Sequence, residues 1–224
     1  MRPLRIRRWS RSRTAFLAVV LAAAPAVSAD LDTASVVARL QGWLDTTRDL
    51  DCRFEQRLVS GALGPAPVES GRLRLIRPGH MRWDYVRPDA KVALLDGDRT
   101  AVYLPADRQF VRGRLGHDQG LLGGLLGGSR QVNDLFRPTL VATPANGGAG
   151  GYRVRLAPIA AGEAVEAVIL TLRPPTFAIE SAEVLDSAGN VVEYRFSGLR
   201  RNRGIPAEAF LFEPPQGTEI IESE

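Results

Sequence analysis

Two histidines, His80 and His117, and a single cysteine, Cys52, are all that this chain of 224 residues offers to nucleophilic dyads or to zinc sites of the Cys/His kind. Such sites draw several ligands from those residue types, so the sequence predicts neither metal binding nor Cys/His catalysis. The patterns G-x-S-x-G, H-E-x-x-H and the glycine-rich dinucleotide fingerprint do not occur. Residues 123–130, GGLLGGSR, come near a phosphate-binding loop, but lysine is missing where that motif needs it and no buried parallel strand precedes it. Carboxylates are plentiful, yet no spacing brings one pair together, and solvated surface acids are the plain reading. Cys52 shares an alternating face with Phe54 and Leu58, which suits a small buried apolar residue better than a reactive thiol. The residues thus predict a protein that is not an enzyme and holds no cofactor.

The amino-terminal 29 residues have an export pattern. Six arginines (Arg2, Arg5, Arg7, Arg8, Arg11 and Arg13) precede an apolar run over 14–26 that closes on the small residues Val27, Ser28 and Ala29. A basic start, a short apolar stretch and small residues at the end define a secretory signal peptide, and the run is too short for a spanning helix. Cleavage after Ala29 is expected, leaving a mature chain 30–224. No cysteine follows the apolar run to accept an acyl anchor, so a soluble product is expected.

Removal of that leader changes the charge. The whole chain is +4, but the mature part keeps 23 basic residues against 25 acidic ones. The excess of positive charge belongs to the leader, and no basic stripe interleaved with aromatics remains to recommend nucleic acid as a partner. One cysteine excludes an intrachain disulfide, so an apolar core must hold the fold. The mature length fits a single domain, 30–224, expected to be a monomer.

A helix is predicted from Asp32 or Thr33, which would cap it, to near Thr47, because Val36, Val37, Leu40, Trp43 and Leu44 recur at three and four residues. Period two follows: Leu50, Cys52, Phe54, Gln56 and Leu58 share one face, Leu73 and Leu75 alternate with Arg72 and Arg74, and Met81, Trp83 and Tyr85 alternate with Arg82 and Asp84. Residues 91–95 and 100–104 flank Asp96-Gly97-Asp98, a hairpin turn supplied with positive φ by glycine. Pro105-Ala106-Asp107 turns the chain into 109–115. Strands over 152–156, 168–172, 179–185 and 192–196 complete about ten short strands, the pattern of an antiparallel sheet rather than a βαβ array. The fold class is therefore α+β, mainly β: a strongly curved antiparallel sheet or incomplete barrel with one apolar face.

One segment, 117–136, shows helical spacing of Leu121, Leu122, Leu125, Leu126, Val132, Leu135 and Phe136 with five glycines inside it. Each interior glycine weakens a helix by roughly 1 kcal/mol relative to alanine, so a short, soft helix is expected, suited to be a movable cover. Met81, Trp83, Tyr85, Val92, Leu94, Val102, Leu104, Val154, Leu156, Val168, Leu170, Tyr194 and Phe196 are read as pointing inward. They either pack as core or line a cavity; patterning alone favours core, since filled interiors are the rule. Arg77, at the turn before Met81, reads alone as a surface residue.

The motifs Phe54-x-Gln56, Ser70-Gly71-Arg72-Leu73, Arg77-Pro78-Gly79-His80-Met81-Arg82-Trp83-Asp84-Tyr85, Pro88-Asp89, Leu95-Asp96-Gly97-Asp98, Val102-Tyr103 and Phe210-Leu211-Phe212-Glu213-Pro214-Pro215-Gln216-Gly217 follow one another across the mature chain. As a set they resemble the periplasmic outer-membrane lipoprotein carrier family, LolA. The resemblance implies an incomplete barrel of about eleven strands closed by an N-terminal helix and a helical lid, a hydrophobic cavity for acyl chains, and no catalysis. It implies a lid latch at Arg77, whose five fixed guanidinium donors suit backbone carbonyls. Met81, Trp83, Tyr85, Leu94, Val102, Leu104, Val154, Leu170, Tyr194 and Phe196 would line the cavity, with Leu121, Leu122, Leu125 and Leu126 on the lid. Met81 stands where the family has an aromatic residue, a flexible apolar replacement.

The implied partners are acylated lipoproteins, an inner-membrane lipoprotein-releasing ABC transporter and an outer-membrane lipoprotein receptor, with the protein in the periplasm. Two alternatives stand beside this. One is a divergent carrier of lipid or acyl polymer in a specialised export system. The other is the lipid-sensing module of an envelope regulator, although such modules usually carry a second domain and this chain ends sooner.

Overall fold

In the computed structural model, which describes residues 31–114, 120–128, 130–144, 150–160 and 165–223, the first element is helix α1, Thr33–Asp45. The expected leader and His117 lie outside the described residues. Asp32 caps α1: its carboxylate accepts the Ser35 amide at 2.8 Å, and hydrogen bonding by the Ser35 side chain, then by its amide, holds the Asp32 pKa below the ordinary value. At the other end Thr46 and Thr47 hydroxyls donate to the carbonyls of Gly42 and Trp43 at 2.7 and 2.6 Å. The stripe Val36, Val37, Leu40, Trp43 and Leu44 is buried, as its spacing requires.

After α1 the chain enters β1 (Asp49–Ser60), with a short β2 (Gly64–Pro65) folded back on its end. A meander follows: β3 (Glu69–Ile76), β4 (His80–Arg87), β5 (Lys91–Asp96), β6 (Arg99–Leu104) and β7 (Gln109–Arg114). The 117–136 segment divides into helices α2 (Gly120–Gly127) and α3 (Val132–Leu135), and Phe136 already begins a strand. That strand is β8 (Phe136–Ala142), followed by β9 (Tyr152–Pro158), β10 (Val165–Arg173), β11 (Ala178–Asp186) and β12 (Val191–Arg201). A 3₁₀ turn over Ala207–Phe210 and strand β13 (Glu219–Glu222) end the described chain.

These strands make one sheet in the order β13-β7-β6-β5-β4-β3-β1-β12-β11-β10-β9-β8, with β2 on the end of β1. The two outermost strands, β13 and β8, do not pair with each other, so the sheet curves without closing. Each neighbouring pair is antiparallel except β13 with β7, which is parallel. The purely antiparallel expectation is therefore corrected at one edge. Parallel pairing requires a long connection, and the segment after β12 supplies it by crossing the outer face of β4–β7. Between β3 and β4 the backbones are so close that a Cβ on Gly71 would lie 2.0 Å from the Asp84 carbonyl oxygen.

One core fills the concave side. The α1 stripe meets Leu50, Cys52, Phe54, Leu73, Leu75 and Met81 from one half of the sheet and Val154, Leu156, Val168, Leu170, Leu172, Ile179 and Phe196 from the other. Burial of each such aliphatic side chain contributes about 1.5–3 kcal/mol. Burial also pushes the Cys52 thiol up to about 12.

The phase of β5 differs from the expectation. Met81, Trp83 and Tyr85 pair across β4–β5 with Leu95, Ala93 and Lys91, so these three share the concave face, and Val92 and Leu94 point to the convex one. Lys91-Val92-Ala93-Leu94-Leu95 offers apolar residues in both phases, and hairpin register decides between them.

Candidate functional site

Two ends of the concave face are built differently. At the end where β3 turns into β4, α2 packs on β4, and Leu125 and Leu126 join the core. Glycine lets this helix sit low: a Cβ on Gly127 would lie 3.1 Å from Met81 Sδ, and one on Gly123 would lie 3.6 Å from Leu95 Cδ2. The C-terminus of α2 is tied down twice. The Gly79 amide donates to the Gly127 carbonyl at 2.8 Å, and Arg77 Nη2 donates to the Gly128 carbonyl. Burial lowers the pKa of Arg77, opposed by the nearby charge of Asp45, and its Nη1 is buried without a hydrogen-bond partner. Arg77 is thus not the plain surface residue that its position alone suggests. Leu121 and Leu122 belong to α2, but their side chains are outside the described part.

Away from α2 the face opens. Phe54 makes edge contacts with Trp83 and Tyr85, each at 4.8 Å between centroids, and Trp83 lies 5.6 Å from Tyr194. Trp83, Tyr85 and Tyr194 pack against the edge of the core and, like Val102 and Leu104, are only half-buried, so an apolar, largely aromatic floor keeps part of its surface exposed. Met81, Val154, Leu170 and Phe196 are instead buried within the packed core. Leu94 is corrected outright: it lines a groove on the convex side with Arg112, Phe210 and Phe212.

The open end of this floor carries polar groups that strand patterning passed over. Lys91 Nζ lies 2.5 Å from Glu69 Oε1 and 4.3 Å from the centroid of Tyr85, whose hydroxyl donates to Gln56 Oε1 at 2.8 Å. Burial raises the phenol pKa of Tyr85 and, to about 12, that of Tyr194; the charge of Glu69 adds to both. The usable signal was the hairpin: once Tyr85 faces in, its partner Lys91 must as well.

Arg82 was also missed. It points outward and binds the crossing segment, donating to the carbonyls of Ala209 and Leu211, both at 3.2 Å, with its guanidinium 5.7 Å from the ring of Phe212. Tyr103 and Phe110 hold Phe212 from below at 5.2 and 5.7 Å. The two motifs R-P-G-x-x-R-W-x-Y and F-x-P-P-x-G therefore meet in space. His80 is peripheral, exposed beside Asp96 at 3.0 Å. Among the described residues no cluster of histidine, cysteine and acidic side chains is arranged to hold a metal ion, and no helix is long and apolar enough to cross a membrane.

An unclosed, curved sheet with helices seated in an apolar concavity defines a half-barrel binding scaffold. The family model for "Outer membrane lipoprotein carrier protein LolA" matches residues 45–213, and the chain belongs to that family. It is 27% identical over 199 residues to the outer-membrane lipoprotein carrier protein of Dechloromonas aromatica, spanning 84% of this chain and 88% of the relative. It is 28% identical over 185 residues to the one from Methylococcus capsulatus, spanning 82% and 86%. Among solved structures, a LolA superfamily protein from Nitrosomonas europaea aligns with a TM-score of 0.47 and 12% identity over 81% of this chain and 98% of that one.

Proposed function

We propose that this chain is a periplasmic carrier that shelters the acyl chains of lipoproteins between the two membranes. The observation that carries the reading is the half-buried floor of Trp83, Tyr85, Val102, Leu104 and Tyr194 in a chain whose relatives are named outer-membrane lipoprotein carrier proteins. Residues 1–29 direct export and are removed; 30–224 is the working domain. Cargo arrives from a lipoprotein-releasing ABC transporter in the inner membrane and leaves to a receptor in the outer membrane. The same relatives' names favour this reading over the specialised-export and lipid-sensing alternatives.

The physical need is plain. Each methylene removed from water contributes about 0.8 kcal/mol, so three acyl chains hold an unescorted lipoprotein in its membrane. A carrier must cover that area and still give it up. In this reading α2 is the lid and Arg77 its latch: opening costs free energy, which lowers net affinity and permits handover.

Co-expression with a tagged triacylated lipoprotein, followed by pull-down and intact mass, tests the proposal. A soluble one-to-one complex that forms with the acylated cargo and not with its unacylated form is the expected result. Recovery of the chain with no cargo and no lipid would refute the reading. Recovery with phospholipid alone would move the function to a lipid carrier.

A further inference from the structure

The cluster at the open end of the floor points to the part of the ligand that is not hydrocarbon. Gln56, Glu69, Tyr85, Lys91 and Tyr194 come from five strands, β1, β3, β4, β5 and β12, and cross-strand register places them on the face that carries Phe54 and Trp83. The described helices cover the other end, so the floor grades from apolar beneath α2 to polar at its rim. A surface that needed only to shelter methylenes has no use for an ammonium and a carboxylate there, since both lose hydration for no apolar gain.

The charges are arranged to cancel. Lys91 and Glu69 are about equally accessible, at 28% and 27%, and lie 2.5 Å apart. An ammonium has three donors; Glu69 takes one, and the Tyr85 ring lies against the charge without accepting a conventional hydrogen bond. The remaining donors sit beside a carboxylate that balances the ammonium, and the hydroxyl of Tyr194 lies near enough to Glu69 to feel its charge. A phosphate or carboxylate would gain Lys91 but meet Glu69, whereas a neutral carbonyl oxygen gains a charge-assisted hydrogen bond without that repulsion.

We propose that the Lys91–Glu69 pair, with Tyr194, is a head-group subsite that accepts the ester and amide carbonyls of an acylated glyceryl-cysteine, fixing how deep the chains enter. The inference rests on the carrier reading and adds to it a chemical preference that bare apolar burial does not give. Lys91 is a specificity residue here: it discriminates acyl lipids by their heads, not by their chains.

The test uses protein exported from the full-length gene, as wild type, as Lys91→Met, and as the double variant Lys91→Met/Glu69→Gln, which keeps the pair neutral without leaving a carboxylate alone. Three probes are titrated: a headless pyrenyl alkane by its own fluorescence, then a tripalmitoyl-S-glyceryl-cysteine peptide and palmitate as its competitors. In both variants the lipopeptide should bind about tenfold more weakly while the pyrenyl alkane is unchanged, the effect of one charge-assisted hydrogen bond. If lipopeptide affinity holds in both variants, or falls only in step with the alkane, the subsite is refuted and the carrier reading survives. A larger loss for palmitate than for the lipopeptide would reassign the site to anionic heads and overturn the carbonyl assignment. Wild-type protein that binds neither the alkane nor the lipopeptide would remove the carrier reading, and the subsite with it.

Discussion

Replacing Arg77 by leucine isolates one of the two tethers on α2. The Gly79 amide still donates to the Gly127 carbonyl, since that bond is backbone to backbone, while the guanidinium bond to the Gly128 carbonyl is lost. A hydrogen bond from a charged donor contributes about 1.5–3 kcal/mol. Leucine also removes a half-buried cation whose Nη1 lacks a partner, which returns about 1 kcal/mol. The net loss of about 0.5–2 kcal/mol shifts the opening equilibrium of α2 by a factor of roughly 2–30. Hydrogen–deuterium exchange reads this directly. The Gly128 amide, bonded to the Gly124 carbonyl at 2.8 Å, should exchange faster by that factor, together with the rest of 120–128, while α1 keeps its protection. If opening gates binding, apparent affinity for a lipopeptide must rise by the same factor, because it scales with the competent fraction. Arg77→Lys, with one compact donor group, should fall between the two. Unchanged protection over 120–128 would refute the latch. Equal acceleration in α1 and α2 would show that Arg77 supports the whole fold rather than the lid.

Two further perturbations probe the scaffold. Arg82→Met removes both hydrogen bonds to the crossing segment and the cation over Phe212, about 1–2 kcal/mol in all; limited proteolysis should then cut within 206–218 well before it cuts elsewhere, and a segment as resistant as in wild type would contradict the role given to Arg82. Tyr194 makes stability depend on alkaline pH. Burial pushes its phenol up to about 12 in the folded chain, against 10.0 ordinarily, so between these values the folded chain keeps a proton that the unfolded chain has lost, and stability falls as pH rises across that window. Tyr85 shifts in the same direction, and Tyr194→Phe should shallow the decline in the urea midpoint without abolishing it.

What could be read from sequence followed the strength of the local signal. Helix α1 has both a cap, Asp32, and an uninterrupted stripe, and its span emerged within a residue or two. Strand β1 alternates without ambiguity from Leu50 to Leu58, so its inward face was legible too. Strand number and alternation already pointed to a curved sheet or incomplete barrel, and the family motifs added its closure by helices. Strand β5 was not legible, since Val92-Leu94 and Ala93-Leu95 satisfy period two equally well, and the choice is made by its pairing with β4. That single phase error hid Lys91 and placed Leu94 on the wrong face. The glycines of 120–128 were read as weakness in a helix, which is their local effect. Their tertiary effect is close approach, with Gly127 against Met81 and Gly123 against Leu95, and this is where packing offsets propensity. The parallel β13 had no local signal, because its partner β7 lies about a hundred residues earlier in the chain.

Strand β4 explains why one short motif carries so much of the resemblance. Its inward residues, Met81, Trp83 and Tyr85, run from beneath α2 to the polar rim, so a single strand holds the contact with α2, the aromatic floor and the partner of Lys91. Its outward residues fasten the same strand from behind: Asp84 accepts from Arg74 and Arg82, and Arg82 reaches the crossing segment. The turn that precedes it supplies Arg77 and Gly79 to α2. A strand secured by ion pairs and a strap on one face can stay fixed when the helix on its other face is loosened, so in the proposed carrier reading opening would be confined to α2. Substitutions on the two faces of β4 should therefore separate: outward ones act on stability and on the strap, inward ones on ligand, and the turn on the balance between open and closed.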